Sequence, residues 1–485
     1  MKKNISTKHI EQELKKRLAE KEKLAEKPAF LLEDILFDKQ LDFVKDISAF
    51  RTAVCSRRAG KTIACAADLV HTILTLPRVN CLYVAITRGS AKNIIWRELM
   101  QLNQDFELNL DINLVELTIR NPLNDSMLYI TGAKDESEIE KLRGMSFKKI
   151  YVDEAQSHRA HISKLIDDIL IPATWDVSGS IALIGTPGPV PAGFFYDASH
   201  SKGWSNHKWT ILDNPHIELK SGKTPELILK TERERKGISE NDPTYMREAL
   251  GLWVKDENAL VFKFNPLINR YKELPNRKLT YIFGIDIGFN DADAIAVLGY
   301  DMYQNKIYLI EERVTRKQTI TDLVNQIKHL QSAYQPVKMV MDAGALGKKI
   351  QEEIRARHGI HIEAADKARK IEFIELMNDD LRKGMLQAKE GSQFEHDCNL
   401  VTWDDSDAYK RVISDRFHSD VNDAVLYGWR ECKHYIKGLT ENVVPKRDSQ
   451  EYMEYLADKY AEKIEKELKG HEDLVSDEDL DYIFS

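Results

Sequence analysis

The sequence predicts an α/β protein of two principal domains, and three observations carry that expectation. Its 485 residues exceed what one ordinary hydrophobic core serves. Two separate stretches alternate short β-branched runs with helical segments, the pattern of a mostly parallel sheet. In both stretches, residues suited to phosphate or metal chemistry fall at the ends of the apolar runs.

Composition narrows the class. Hydrophobic residues make up 42% and charged residues 31%, the balance of a soluble globular protein. No run approaches the roughly 20 apolar residues of a bilayer span, and the charged start MKKNISTKHIEQELKK stands where a secretory signal would be apolar. No membrane association and a cytoplasmic location are therefore expected. Cys55, Cys65, Cys81, Cys398 and Cys432 are widely spaced with no CxxC pair, so reduced, buried thiols are expected rather than zinc or redox chemistry. A net charge of -8 argues against wholesale coating of nucleic acid but leaves a local groove open.

The chain divides by pattern. Residues 1–28 carry nine Lys or Arg against five Glu and read as a charged helix; residues 438–485 form a charged tail whose last fifteen residues hold six acids. Each end is either a solvated appendage or a docking element. The first domain, 29–255, has expected strands at 51–55, 80–86, 148–152 and 180–185. VELTIRN and SMLYITG flank the turn-rich NPLND, so residues 115–132 are expected as a hairpin decorating the sheet. From 188 onward GPVPAG, DNPH and NDPTY favour turns and short helices, a subdomain that ends in a linker at 256–275. The second domain, 276–437, runs through TYIFGIDIG, AIAVLGY, KIYLIEE and VKMVMDAG, with helices near 319–332 and 345–357.

RTAVC, SRRAGKT and IACAADLVHTIL read as strand, tight loop and helix, the context of a phosphate-binding loop. Gly60 would let the backbone approach phosphate oxygens, and the helix start would offer free amides. Lys61 would reach the β and γ phosphates of ATP, and Thr62 would hold magnesium. Ser56, Arg57, Arg58 and Ala59 complete the loop. Cys55 departs from GxxxxGK[ST] by replacing its first glycine, and a basic turn would account for the same residues. Downstream, KKIYVDEAQ is an apolar strand ending in Asp153, suited to orienting magnesium, and Glu154, suited to polarising the attacking water. The strand GSIALIGTPG ends at Thr186, where a third strand would sense the γ-phosphate; a plain turn explains TPG as well. Gln40 would read the adenine edge, although an exposed helical glutamine explains it equally. Arg57, Arg58 and Arg143 are candidates for stabilising transition-state charge, and the sequence does not choose among them. The fold expected is a P-loop ATPase of the ASCE type.

In the second half Asp286 of FGIDIG, Asp342 of MVMDAG and Asp423 of HSDVNDAVLYGW end or open apolar elements. Together they suggest a ribonuclease H-like sheet whose carboxylates converge on two Mg2+ or Mn2+ ions for phosphodiester cleavage. A helix N-cap would also explain Asp342, and either Asp420 or Asp423 could be ligand or cap. Asp423 is the preferred ligand, with Asp420 and Asp293 as auxiliaries. His418 would assist metal-bound water or serve structure, and Lys367, Arg369 and Lys370 would contact phosphate or simply face solvent.

The order SRRAGKT, YVDEAQ, IGTPG, GIDIG, MDAG and NDA resembles the large terminase subunits of tailed bacteriophages. In that family an ATPase with a glycine-poor phosphate loop precedes a ribonuclease H-like nuclease, which suits Cys55. The resemblance implies Lys61, Thr62, Asp153, Glu154 and Thr186 for the motor and Asp286, Asp342 and Asp423 for cleavage. Arg57 aligns with a loop arginine used in cis; Arg143 resembles a position used in trans. It also implies double-stranded DNA as substrate and a homo-oligomeric ring on the portal protein of a procapsid. A small terminase subunit as partner, and action in the host cytoplasm rather than in the mature virion, follow from the same resemblance. An ATP-dependent recombination or defence nuclease, and a nucleotide-gated DNA-binding assembly protein with an inactive nuclease, remain alternatives.

Overall fold

β1 (Phe50–Cys55), the first buried strand, organises the N-terminal unit. The computed structural model describes residues 30–437 and Met453, except 135, 159–161, 289–291, 302–304, 343, 345–346 and 405–410. The expected N-terminal helix and nearly all of the expected tail lie outside the described residues. The chain forms two compact units with the boundary at Ala259/Leu260, Ile413–Phe417 counting with the first.

The first unit's sheet comprises β1, β2 (Asn80–Ala85), β3 (Asp111–Asn113), β4 (Thr118–Asn121), β5 (Ser126–Gly132), β6 (Lys149–Asp153), β7 (Ser180–Gly185) and β8 (Ser205–Trp209). Their order is β3-β4-β5-β2-β6-β7-β1-β8, parallel except where β4 pairs with β3 and β5. Central strands are buried on both faces, so they read as continuous apolar runs. Their side chains alternate between two cores: Ala53, Tyr83 and Tyr151 enter one, while Val54, Leu82, Val84, Ile150 and Val152 enter the other. β7 separates the phosphate-loop strand β1 from the acidic strand β6. This additional strand is the ASCE arrangement.

Two local expectations need correction. The 115–132 hairpin forms, but β5 pairs in parallel with β2 and so extends the main sheet rather than decorating it. β8 was expected to be turn or helix; SNHKW has no apolar run because it is an edge strand with only Trp209 fully buried.

The second unit has β9 (Arg270–Tyr271), β10 (Thr280–Asp286), β11 (Ala292–Asp301), β12 (Lys306–Arg316), β13 (Lys338–Met341), β14 (Glu363–Ala364) and β15 (Leu386–Lys389). Their order is β14-β13-β10-β11-β12-β15-β9. β10, β11 and β12 form an antiparallel meander, and β13 and β14 continue it in parallel from β10, the ribonuclease H-like pattern. The expected linker is mostly part of this unit. Val261 and Phe262 are fully buried, the Val261 amide donates to Val401 O at 2.9 Å, and Asn269 donates to Leu381 and Leu386 carbonyls. All five cysteines are buried and free.

Helix Asp420–Lys437 packs on β10 and β11 through two glycines. A Cβ at Gly284 would sit 1.9 Å from Ala424 O and 2.7 Å from Gly428 N, so helix and strand meet backbone to backbone. That approach brings the helix start, with Asp420 and Asp423, to the end of β10, where Asp286 stands. Gly284→Ala should therefore destabilise the second unit by about 3 kcal/mol or more, since neither backbone can yield. Urea unfolding of the full chain would register this as early loss of that unit's transition, and a wild-type midpoint would contradict the packing.

Candidate functional site

The phosphate loop is held by its carbonyls. Lys61 Nζ donates to Ser56 O at 3.0 Å, Trp209 Nε1 to Ala59 O at 2.9 Å, Asn214 Nδ2 to Arg58 O at 3.0 Å and Gln40 Nε2 to Gly60 O at 2.8 Å. Anchoring these oxygens to side chains leaves the amides at the start of helix Lys61–Thr75 as orphan donors for an anion. Gly60 takes φ +83, and a Cβ there would approach Gln40 Nε2 to 2.7 Å. Cys55, the departure from the motif, is buried as the last residue of β1, beneath the loop. Thr62 occupies the helix's first turn.

Gln40 is thus buried and bonded to the loop, not an exposed helical glutamine. Lys61 Nζ also donates to Thr186 Oγ1 at 3.1 Å, bringing the end of β7 to the loop. Asp153, at the end of β6, is buried; Glu154 N donates to its Oδ1 at 2.8 Å and the Tyr83 hydroxyl donates to Oδ2. Burial, then the Glu154 carboxylate, push the Asp153 carboxyl up. Glu154 has φ +50, and its carboxylate accepts from Gln156 Nε2.

The arginines separate. Arg57 pairs with Glu248, and its amide donates to Glu248 O at 2.8 Å. Arg58 takes φ +60 on the loop. Arg143 follows the short helix Glu136–Glu140 and is exposed and paired with Glu140.

In the second unit Asp342 N donates to Ile285 O at 3.0 Å, so β10 and β13 set Asp286 and Asp342 side by side. Asp286 is pushed up to about 8 by burial, then by Asp423, Asp342 and Asp420, with Lys370 opposing. These four acids therefore share one electrostatic environment. Lys370 Nζ stands 2.7 Å from the Asp423 carboxylate, and Lys367 pairs with Asp342. Among the described residues, no three His, Cys, Asp or Glu side chains form a ready cage for a metal ion. Asp293 is engaged elsewhere, accepting from Gly288 N at 3.1 Å and Gln318 Nε2 at 2.6 Å. His418 lowers the proton affinity of Asp397 through its charge, though burial still leaves that carboxyl raised. Arg369 is exposed and pairs with Glu372, apart from the lysines on either side of it.

Residues 53–179 match the family model "Terminase large subunit, T4likevirus-type, N-terminal". A curated relative, the terminase large subunit of Escherichia phage T5, is 23% identical over 403 residues, spanning 78% of this chain and 86% of that protein. Over these stretches the chain is similar to phage large terminase subunits. The crystal structure of the HK97 bacteriophage large terminase matches the fold with a TM-score of 0.51 at 14% identity, covering 81% of this chain and 94% of that one.

Sequence reasoning missed the residues that hold the candidate groups in place. They are Trp209 and Asn214 behind the loop, Glu248 on Arg57, Tyr83 on Asp153 and Gln156 on Glu154. Asn214 stands in the DNPH turn, which marked a turn but not its target; the rest carry no local signal.

The raised Asp286 makes a pH prediction. An unfolded Asp releases its proton near pH 4, whereas the folded state keeps it to about pH 8. Between those values the folded state binds more protons, so metal-free stability falls as pH rises, by at most about 1.4 kcal/mol per pH unit from this group. Asp286→Asn should flatten that decline. Unfolding midpoints at pH 5 and 7.5 in EDTA measure it, and equal slopes for the two proteins would refute the shift.

Proposed function

We propose that the N-terminal unit hydrolyses ATP to drive double-stranded viral DNA into a procapsid, and that the C-terminal unit cuts the concatemer. The observation that supports the motor best is the phosphate loop, whose carbonyls are pinned back while Lys61 bridges it to Thr186. On this reading Lys61 trades its contacts with Ser56 O and Thr186 for the β and γ phosphates, so Thr186 registers the occupant. Glu154 accepts the proton of the attacking water, oriented by Gln156. Gln40, fixed on Gly60, borders the loop on the side assigned to adenine. Bound magnesium, which Thr62 and Asp153 would hold, supplies positive charge at the phosphates; a buried carboxylate with raised proton affinity suits a hard dication.

The nuclease donor set passes a similar test. Asp286, Asp342 and Asp423, with Asp420, are hard oxygen donors whose mutual repulsion a pair of Mg2+ or Mn2+ ions would relieve. Two such ions, when bound, activate water and stabilise the leaving oxygen in phosphodiester cleavage. The protein's part is to set Asp286 and Asp342 on adjacent strands and Asp423 on the helix packed across them.

Arg57 sits on the loop and serves in cis, while Arg143, exposed on a turn, suits action on a neighbouring subunit's nucleotide. This reading includes a homo-oligomeric ring on the portal protein, a small terminase subunit as partner, and residence in the host cytoplasm with transient docking on the procapsid. Among the described residues no helix is long and apolar enough to cross a membrane.

Lys61→Ala should lower ATPase turnover by at least about 100-fold and leave plasmid cleavage, whereas Asp286→Ala should abolish Mn2+-dependent cleavage and leave ATPase. Loss of both activities in either variant would deny two separate sites. An equimolar mixture of Lys61→Ala and Arg143→Ala should hydrolyse ATP faster than either alone; no gain on mixing would remove Arg143 from the neighbour's site.

A further inference from the structure

Two of the three principal nuclease acids already have cationic partners. Lys370 Nζ stands 2.7 Å from the Asp423 carboxylate, and Lys367 is paired with Asp342. Both lysines belong to the short stretch 366–370, and this stretch is built onto the acidic site rather than draped over it. Arg430 donates through Nη1 to Ala368 O at 3.1 Å and through Nη2 to Asp366, and its guanidinium lies 3.5 Å from the centre of the Phe373 ring. The Arg430 side chain is 8% exposed, so this anchor is largely removed from solvent. Arg430 also lies on helix Asp420–Lys437, two turns after Asp423. One rigid helix therefore carries both an acid and the tether that presents lysines to the acids. Arg369, at φ +54, turns the chain between the two lysines and starts the helix that Lys370 opens.

Exposure shows that the lysines can leave. Their side chains are 45% exposed for Lys367 and 34% for Lys370, so each ammonium can swing into water without disturbing the core. A divalent cation carries twice the charge of an ammonium and binds several carboxylates at once. We propose that residues 366–370 are a strap, tethered by Arg430, that keeps Lys367 and Lys370 as resident counter-ions of the nuclease acids. The acids then accept a divalent cation only when the lysines let go. The released ammonium groups, repelled by the incoming charge and still tethered beside it, are placed to meet the phosphodiester. The strap rests on the nuclease reading above and goes beyond it by assigning the lysines a resting position and giving metal entry a cost.

The test uses the full chain and Mn2+ alone, titrated calorimetrically at neutral pH. Relative to wild type, the double variant Lys367→Gln/Lys370→Gln should bind Mn2+ at least about fivefold more tightly, because competing cations are gone. It should also melt at a lower temperature in EDTA and gain more from Mn2+ than wild type does. A merely structural role for the lysines would lower the melting temperature with and without the metal. Arg430→Gln, which keeps both lysines but frees the strap, should shift Mn2+ affinity in the same direction. Equal or weaker Mn2+ binding by the double variant would overturn the strap. Asp286→Asn separates the two levels of the argument: if it leaves Mn2+ binding untouched in both backgrounds, the acids are not the metal site and the nuclease reading itself falls.

Discussion

Like charges gathered at the ends of buried strands must be balanced by cations, and the rest of both units is arranged around that balance. Asp153 and Glu154 stand together at the end of β6, and burial and proximity raise the proton affinity of the first. Asp286, Asp342, Asp420 and Asp423 meet in the second unit with the same effect on Asp286. A strand end holds such acids in place because the sheet fixes the backbone that carries them, even where the carboxyl itself is buried. Lysines supply the balance: Lys61 on its loop, and Lys367 and Lys370 beside the acids. Each is a flexible point charge on a long aliphatic stem.

The two units solve the positioning problem differently. In the first, the parallel sheet brings three strand ends to one edge, and side chains from elsewhere trim the geometry. Trp209, Asn214 and Gln40 hold the loop by its carbonyls, and Tyr83 and Glu154 N hold Asp153. In the second, two strand ends and one helix must converge, so the decisive contact is steric. Gly284 and Gly428 remove the side chains that would keep the helix away from β10.

What was legible in the sequence was local. Lys61, Thr62, Asp153, Glu154, Asp286 and Asp342 follow or end apolar runs, so pattern alone brought them forward, and the two α/β units with them. The supporting residues were not legible because their partners lie far away in the chain. Trp209 serves Ala59 from 150 positions away, and Arg51 is buried with its guanidinium on Phe43 O and Asp46 O. β8 escaped notice because an edge strand needs only one buried side chain. Residues 256–275 read as a linker because they follow a turn-rich stretch and precede the first apolar run of the second domain, yet Val261, Phe262 and Asn269 are buried in the second unit.

A buried polar cluster shows how the first unit keeps its register when the nucleotide site is rearranged. Asp68, on helix Lys61–Thr75, receives Lys149 Nζ at 2.7 Å on both oxygens and the Tyr151 hydroxyl at 2.5 Å. Lys149 and Tyr151 lie on β6, four and two positions before its terminal Asp153. The helix that begins with Lys61 and Thr62 is thus locked to the strand that ends in Asp153 by contacts about two turns from the phosphate loop. Removing one charge of such a pair typically costs about 3–5 kcal/mol because the other stays buried. The lock therefore resists shearing between helix and strand, whereas the Lys61 ammonium rests on two hydrogen bonds to neutral oxygens and the Glu154–Gln156 pair on one, which leaves these the parts freest to rearrange. On the proposed motor reading that division matters, since a site that yielded everywhere would dissipate the change, and one that yielded nowhere would transmit nothing.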